Sequence, residues 1–243
     1  ITEPVAIDLW GVYAPYKKFD EHRWQIDFET TVVNADYADR TVTAESRIIG
    51  ADGAVVAVGS GTGSVKLRET GVIKYSTVAV DPLLWSCEYP NLYTVETTLQ
   101  LDGEAIDRTA TRIGFRTVEI SVDKGLLLNG KPTYINGVCA HQDFGLTGLA
   151  VPANIAEYKV SLLKEMGANG YRTSHYQQTE SYMDAFDEMG FLVLDEARWF
   201  ENTKEAAEQL ASLVKRDRNR PSVIMWSTSN EEPLHVHDVG RRL

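Results

Sequence analysis

The chain has 243 residues, of which 43% are hydrophobic and 24% charged, as is usual for a globular protein with one large or two modest domains. Its formal net charge of −11 argues against binding to nucleic acid, because that function needs clustered lysine and arginine. No apolar run approaches the roughly 18 residues of a membrane span, so no membrane partner is expected, and Cys87 and Cys139 lack the spacing of a zinc site.

The first half of the chain alternates apolar and polar residues with a period of two. The alternation is clearest over residues 24–32, 42–48 and 93–101, and Asp52-Gly53 and Asp102-Gly103 are hairpin signals. Strands separated by turn residues, with no helical stretch between them, predict a β-sandwich over residues 1–119.

Residues 120–243 follow a different pattern, in which short apolar strands alternate with helices. Strands are predicted at residues 133–138, 168–173, 191–194 and 223–226. The last of these is apolar throughout and is expected to be a buried parallel strand.

Three helices separate these strands. The first begins at Asn154 and has its apolar residues at Ile155, Tyr158, Leu162 and Met166. The second begins at Thr179 and ends at Gly190, and the third begins with a capping box formed by Asn202 and Glu205.

The order βαβαβαβ predicts parallel strands with right-handed crossovers, either in an open doubly wound sheet or in part of a barrel. Periodicity alone does not choose between these two folds. The chain contains no Gly-x-Gly-x-x-Gly and no phosphate-binding loop, which favours a barrel. A complete barrel takes about 250 residues, so only the first four of its eight strands are expected here.

Polar residues follow each predicted parallel strand and should converge at the mouth of the barrel, the end at which the carboxyl ends of its strands lie. They are His141, Gln142 and Asp143, then Arg172, Ser174 and His175, then Asp195 and Glu196, and finally Asn230 and Glu231. Carboxyl, imidazole and amide groups without a nucleophilic serine elbow suit a neutral, hydroxyl-rich substrate such as a sugar.

Glu231 is the candidate general acid of this mouth. It must keep a proton at neutral pH, for which Trp226 and Trp199 are candidates to supply apolar cover. Asn230 is expected to bond a sugar hydroxyl, plausibly the 2-hydroxyl. Both side chains can reach the pocket only if the strand ends or bulges near Ser229.

Several of these residues have a second interpretation. His175 either contacts substrate or is a core imidazole bonded to Asp195 or Asp143, and Arg172 either binds substrate or holds Glu196 or Glu231 by pairing. Which of Asp195 and Glu196 faces inward stays open. Trp199 and Tyr176 are candidate platforms for stacking of a sugar.

Two long motifs carry a specific resemblance. The first motif is Asn169-Gly170-Tyr171-Arg172-Thr173-Ser174-His175-Tyr176. The second is Asp217-Arg218-Asn219-Arg220-Pro221-Ser222-Val223-Ile224-Met225-Trp226-Ser227, followed after two residues by Asn230-Glu231. Both are similar to the signatures of glycoside hydrolase family 2. Residues 84–86, 90–93 and 114–116 resemble the immunoglobulin-like domain of that family and its exit into the barrel.

The resemblance implies a retaining exo-β-glycosidase, with a β-galactosidase favoured and a carbohydrate as its partner. It makes Glu231 the acid/base and places the nucleophile, a second Glu, at the end of strand seven, roughly 90 residues further on. The chain alone is therefore not expected to turn over substrate. The residues expected to bind substrate are His141, Asp143, Arg172, His175, Glu196, Trp199 and Asn230.

The sequence departs from the family pattern at three places. Gln177 replaces a Pro, Cys139-Ala140 replace a common Asn-Arg, and Glu201-Asn202-Thr203 lacks the His of members that bind magnesium. Neither a metal nor a cofactor is therefore predicted, although His235 and His237 have the spacing of metal ligands.

Two rival functions stay open. One is a non-catalytic carbohydrate-binding or scaffolding protein that keeps the fold, and the other, ranked last, is a metal-dependent hydrolase. Half a barrel leaves open strand edges, so a homo-oligomer is possible. The start at Ile1 suggests an excised piece, and the sequence leaves localisation undetermined.

Overall fold

The computed structural model of the chain describes residues 3–198, 203–228 and 230. The chain forms two compact units. One comprises the residues up to Leu84 together with Asn91–Phe115, and the other comprises Trp85–Pro90 together with the residues from Arg116 onward. The boundary proposed after residue 119 stays a prediction.

The first unit is a β-sandwich of two antiparallel sheets. Its strands are β1 (Val5–Tyr13), β2 (Tyr16–Lys18), β3 (Arg23–Asn34), β4 (Arg40–Ile49), β5 (Val55–Val65), β6 (Thr70–Val80), β7 (Tyr93–Leu101) and β8 (Glu104–Ile113). In one sheet β3 pairs with β1, β2 and β6, and the other sheet has the order β5-β4-β7-β8. Apolar residues of both sheets form the core between them, in two clusters of buried side chains.

The period-two pattern of β3 correctly predicted which of its residues face that core. The side chains at positions 24, 26, 28, 30 and 32 are all buried. Phe115 lies at the centre of an aromatic group, with its ring centroid 5.1 Å from that of Tyr16, 5.2 Å from Tyr93 and 5.7 Å from Trp24. The hairpin at Asp102-Gly103 is also confirmed, since both residues have the positive φ that a tight two-residue turn requires.

The second unit begins with a small antiparallel sheet and continues with alternating strands and helices. Its elements are β9 (Val118–Ser121), β10 (Gly125–Leu128), β11 (Lys131–Pro132), β12 (Gly137–Ala140), α1 (Ala153–Glu165), β13 (Gly170–Thr173), α2 (Glu180–Met189), β14 (Leu192–Glu196), α3 (Lys204–Asp217) and β15 (Val223–Ser227). Strands β12, β13, β14 and β15 form a parallel sheet in that order.

All four parallel strands differ from their predicted bounds by one or more residues, and two of the differences affect the site. Residues 133–136 are not part of the first parallel strand, which begins only at Gly137. The side chain of Asn169 holds this connection instead, accepting a bond from Asn136 N at 2.7 Å and donating to Tyr134 O at 2.9 Å. Strand β14 runs two residues further than predicted, so Asp195 and Glu196 belong to the strand itself.

The apolar pattern of the first helix predicted its packed face only in part. Its buried residues are Ala156 and Val160, and Ile155 is partly buried against the same core. The other three residues of the pattern point away, since Tyr158 is 54%, Leu162 43% and Met166 67% exposed.

Two further corrections concern α3 and β15. The N-cap of α3 is Thr203, whose Oγ1 accepts a bond from Ala206 N at 3.2 Å, and not Asn202. Strand β15 is not buried along its length, because it is the last described strand of the sheet; Val223 is buried but Trp226 is 37% exposed.

The second helix has the predicted ends. Thr179 is its N-cap, and Gly190 ends it in the left-handed region with φ of 69°. A side chain at Gly190 would also meet the backbone of Cys87, since an added Cβ would lie 2.5 Å from the Cys87 carbonyl oxygen. Among the described residues, no helix is long and apolar enough to cross a membrane.

Candidate active site

A polar cluster lies where three of the parallel strands end. Arg172 comes from β13, Glu196 is the last residue of β14, and Ser227 is the last residue of β15. His175 and Asn230 follow β13 and β15 along the chain. We call these five residues the mouth cluster; they meet because the carboxyl ends of parallel strands lie at one edge of the sheet.

Glu196 is the acceptor at the centre of the mouth cluster. Its side chain is only 1% exposed. Oε2 accepts bonds from Arg172 Nε at 2.9 Å and Ser227 Oγ at 3.0 Å, while Oε1 lies 3.1 Å from both Arg172 Nη2 and His175 Nδ1. The fork of Arg172 thus meets the carboxylate in a bidentate pair, the strongest geometry available to these groups.

Arg172 also fixes the orientation of Asn230. Its Nη2 donates to Asn230 Oδ1 at 2.8 Å. A guanidinium can only donate, so the amide atom that faces it must be the oxygen. The amide nitrogen of Asn230, with its two N–H donors, therefore lies on the side away from Arg172, and none of the described residues accepts a bond from it.

The two histidines lie side by side at this edge. The ring centroids of His141 and His175 are 5.5 Å apart, and that of Tyr176 is 5.6 Å from His141. Because the Nδ1 atom of His175 bonds Glu196, its partner is neither Asp195 nor Asp143, the two alternatives expected from the sequence. None of the described residues bonds Nε2 of His175, and the side chain is about one-third exposed.

The loop after β12 contributes structural groups as well as His141. Gln142 is buried and points into the protein, where its Oε1 accepts a bond from Thr179 N at 2.9 Å. Asp143 is exposed, its carbonyl accepts a bond from Lys159 at 3.2 Å, and none of the described hydrogen bonds joins it to the mouth cluster. Burial lowers the pKa of Lys159.

Asp195 and Glu196 point to opposite sides of β14, as neighbours on a strand do. Asp195 is fully buried, and its Oδ1 accepts a bond from Thr173 Oγ1 at 3.3 Å. Burial, followed by the charge of Asp217, raises the pKa of Asp195 to about 8. Glu196 is therefore the member of the pair that faces the mouth.

Sequence reasoning missed two side chains at this edge. Ser227 donates to Glu196, and Cys139 Sγ lies 3.7 Å from Arg172 Nη1 and 2.5 Å from Ser174 Oγ. Cys139 could have been placed at this edge from the pairing of β12 with β13. In that register Cys139 lies opposite Arg172, and paired residues share a face of the sheet.

Other predicted site residues lie outside the described residues. They are Trp199, Glu201, Asn202, Ser229, Glu231, His235 and His237. Among the described residues, no group of three or more His, Cys, Asp or Glu side chains is arranged to hold a metal ion.

Two family models match consecutive parts of the chain. The model for glycosyl hydrolases family 2 matches residues 7–116, and the model for the TIM barrel domain of the same family matches residues 118–203 and 198–240. The chain belongs to glycosyl hydrolase family 2. Its β-sandwich is the immunoglobulin-like domain of the family, and its parallel sheet with three helices is part of the TIM barrel.

Relatives in family 2 match nearly the whole chain. A β-galactosidase of Bacteroides ovatus is 36% identical over 242 residues, which is 95% of this chain and 28% of the relative. Human β-glucuronidase is 32% identical over 81% of this chain and 31% of its own length. A solved structure of a family 2 member from Bacteroides cellulosilyticus superposes with a TM-score of 0.88 at 32% identity, over 95% of this chain and 32% of the other.

The chain thus spans less than a third of the length of these three relatives. The relatives include β-galactosidases and β-glucuronidases, which supports a glycoside hydrolase function.

Proposed function

We propose that the chain provides the acid/base half of the active site of a retaining exo-β-glycosidase that acts on terminal β-galactosides. Two relatives matched over nearly the whole chain, from Bacteroides ovatus and Thermoanaerobacter pseudethanolicus, are β-galactosidases. In this proposal Glu231 protonates the glycosidic oxygen as the bond breaks and later activates the attacking water. The nucleophilic carboxylate comes from outside the 243 residues.

The observation that carries the proposal is the hydrogen bond from Arg172 to Asn230, 2.8 Å long. It turns the N–H donors of Asn230 away from Arg172, which supports a role for them in binding substrate, and Asn230 is the residue directly before Glu231. A donor that is held in place before substrate arrives can bond the 2-hydroxyl oxygen without a cost of reorganisation. That bond strengthens as positive charge develops on the sugar ring.

The remaining residues of the mouth take two kinds of role in this proposal. Glu196, which accepts from Arg172, His175 and Ser227, positions its neighbours and leaves substrate contact to them. His175 Nε2 and the His141 ring bind sugar hydroxyls. Trp199 and Asp143 are proposed as outer contacts, Trp199 by stacking on the sugar and Asp143 by accepting from a hydroxyl.

Replacement of Glu231 in the full-length protein tests the proposal. Glu231→Gln keeps the shape of the side chain and removes the acidic proton, so hydrolysis of a nitrophenyl β-galactoside should fall by roughly 10²- to 10⁴-fold. Glu232→Gln is the matched control, because it makes the same change at the next residue, to which the proposal gives no role, and it should hydrolyse within about 3-fold of the wild-type rate. Equal rates for the wild type and Glu231→Gln would remove Glu231 from the mechanism.

A panel of nitrophenyl glycosides separates the related functions. We expect the highest kcat/KM for the β-galactoside. A higher kcat/KM for the β-glucuronide would instead indicate a β-glucuronidase, the other activity found among its relatives. Sugar binding without turnover of any member of the panel by the full-length protein would favour the carbohydrate-binding alternative.

A further inference from the structure

A second carboxyl group lies behind the mouth cluster, and the mechanism above does not use it. Asp195 is fully buried on the side of β14 opposite to Glu196. Its Oδ1 accepts a bond from Thr173 Oγ1 at 3.3 Å, and its Oδ2 has no hydrogen-bond donor among the described residues. A buried carboxylate oxygen without a hydrogen-bond donor lowers the stability of the fold unless the carboxyl group carries a proton.

The neighbour of Asp195 on α3 indicates where that proton goes. Asp217, also fully buried, lies within hydrogen-bonding contact of Asp195. Both Asp217 oxygens are occupied by arginine donors, with Arg220 Nε 2.8 Å from Oδ1 and Arg216 Nη2 2.5 Å from Oδ2. Two buried carboxyl groups in contact cannot both be ionised, and the one bonded to two guanidinium groups is the one that keeps its charge. The proton therefore belongs to Asp195.

Thr173 connects this acid to the mouth. Its hydroxyl oxygen accepts a bond from the backbone N–H of Glu196 at 2.8 Å, and the same hydroxyl donates to Asp195 Oδ1. The chain of contacts runs from Asp217 through Asp195 and Thr173 to the backbone of Glu196. The carboxylate of Glu196 then holds Arg172, which orients Asn230.

We propose that Asp195 is a positioning residue that works as a neutral carboxylic acid, donating its proton to Asp217 and holding through Thr173 the end of β14 that carries Glu196. When Asp195 loses its proton, two negative charges face each other in a buried site. The repulsion is relieved by separating β14 from α3, which displaces Glu196 and with it the Arg172–Asn230 pair. The effect on hydrolysis rests on the proposed function; the protonation of Asp195 does not.

The groups that face Asp195 set the direction of the pH effect. They are Thr173 on β13 and Asp217 with its partner Arg216 on α3, while Trp226, its register partner on β15, does not titrate. Because the pKa of Asp195 is raised from 3.8 to about 8 in the folded state, the folded protein binds more protons than the unfolded chain between these two pH values. The contribution of Asp195 to stability is complete below about pH 4 and is lost as the pH rises from there to about 8.

The test combines one titration with two matched variants of the full-length protein. In the wild type, the ¹³C signals of the aspartate side-chain carboxyl groups are followed by NMR between pH 5 and pH 9. Thermal stability and kcat are then compared over the same range for the wild type, Asp195→Asn and Asp184→Asn. Asp184 is the control because it is a half-exposed carboxylate bonded to Arg220.

We expect one aspartate signal to titrate near pH 8 and to be missing in Asp195→Asn. That variant keeps a neutral donor that does not titrate, so its kcat at pH 7 should stay within about 3-fold of wild type. The fall in wild-type stability between pH 5 and pH 8 and the loss of kcat near pH 8 should be missing from its profile. Asp184→Asn should keep the pH profile of the wild type.

A wild-type spectrum in which all aspartates are ionised by pH 6 would overturn the proposal, as would an Asp195→Asn profile that matches the wild type. The titration decides even if Asp195→Asn fails to fold. If the full-length protein lacks glycosidase activity, the proposed function fails separately, and the titration still decides whether Asp195 carries the proton.

Discussion

Two groups of arginines and carboxylates lie close together in the barrel unit and differ in how completely their hydrogen bonds are satisfied. Behind the sheet, Arg220 bonds Asp184 at 2.7 Å and both Asp187 and Asp217 at 2.8 Å, and its side chain is 12% exposed. We call Arg216, Arg220 and these three aspartates the buried ionic network. In the mouth cluster, Arg172 is 34% exposed and, within the part of the chain that the structure describes, pairs with one carboxylate, that of Glu196.

The difference separates a group of charges that bond one another within the protein from the group to which the proposed function assigns substrate binding. The remaining oxygen of Asp187, Oδ1, accepts from Ser222 N at 3.1 Å, so the network is closed within the protein. Burial raises the pKa of Asp187, and the charge of Arg220 opposes that rise. In the mouth cluster, by contrast, none of the described residues bonds the amide nitrogen of Asn230 or Nε2 of His175. The proposed function assigns these two nitrogens to the substrate.

The largest expected effect comes from opening the buried ionic network. Arg220→Met leaves the carboxylates of Asp187 and Asp217 buried without this cation, which should cost about 4 kcal/mol of unfolding free energy. Urea denaturation measures the loss. Lys204→Met is the control, since Lys204 forms an exposed pair with Glu208 at 3.5 Å, and such a pair is worth no more than about 0.5 kcal/mol. Equal unfolding free energies of the two variants would show that the buried ionic network stabilises the protein no more than an exposed ion pair does.

A smaller loss of stability and a larger loss of activity are expected at the mouth. Arg172→Met removes the bidentate partner of Glu196 and the donor that orients Asn230, so stability should fall by about 2 kcal/mol and kcat by roughly 100-fold. Arg172→Lys should restore little of the rate, because an ammonium group cannot meet a carboxylate and an amide with a planar fork. A loss of stability greater than that of Arg220→Met would reverse the comparison.

The smallest effect is expected from a single neutral donor. Ser227→Ala removes the 3.0 Å bond to Glu196 Oε2, which leaves the two Arg172 bonds in place and should cost about 1 kcal/mol. We expect a change in kcat of about 5-fold or less. Ser161→Ala, which removes an exposed hydroxyl bonded to Tyr158 O, is the control for loss of a hydroxyl. A loss of rate comparable to that of Arg172→Met would make Ser227 a principal part of the site.

The sequence predicted best the features that depend on local chemistry. The alternation in β3 identified its buried face, and Gly190 marked the end of α2 because the left-handed conformation there suits glycine. It failed where packing between elements decides. The α1 pattern pointed to Tyr158 and Met166, but the sheet and α2 select the face of Ala156 and Val160.

The same division holds at the mouth. The rule that polar groups collect at strand ends identified Arg172, His175, Glu196 and Asn230, which the hydrogen bonds bring together. Which of Asp195 and Glu196 faces them depends on where β14 ends, and that was predicted two residues too early. The proton of Asp195 depends on Asp217, 22 residues further along the chain, and no local pattern indicates it.

The central claim is that Arg172 fixes Asn230 so that its amide N–H groups meet the sugar. A crystal structure of the full-length Glu231→Gln variant with a bound β-galactoside tests it most directly. The account predicts Arg172 Nη2 on Asn230 Oδ1 and Asn230 Nδ2 within about 3 Å of the 2-hydroxyl oxygen of the sugar. A sugar bound away from Asn230, or an Asn230 amide turned away from Arg172, would contradict it.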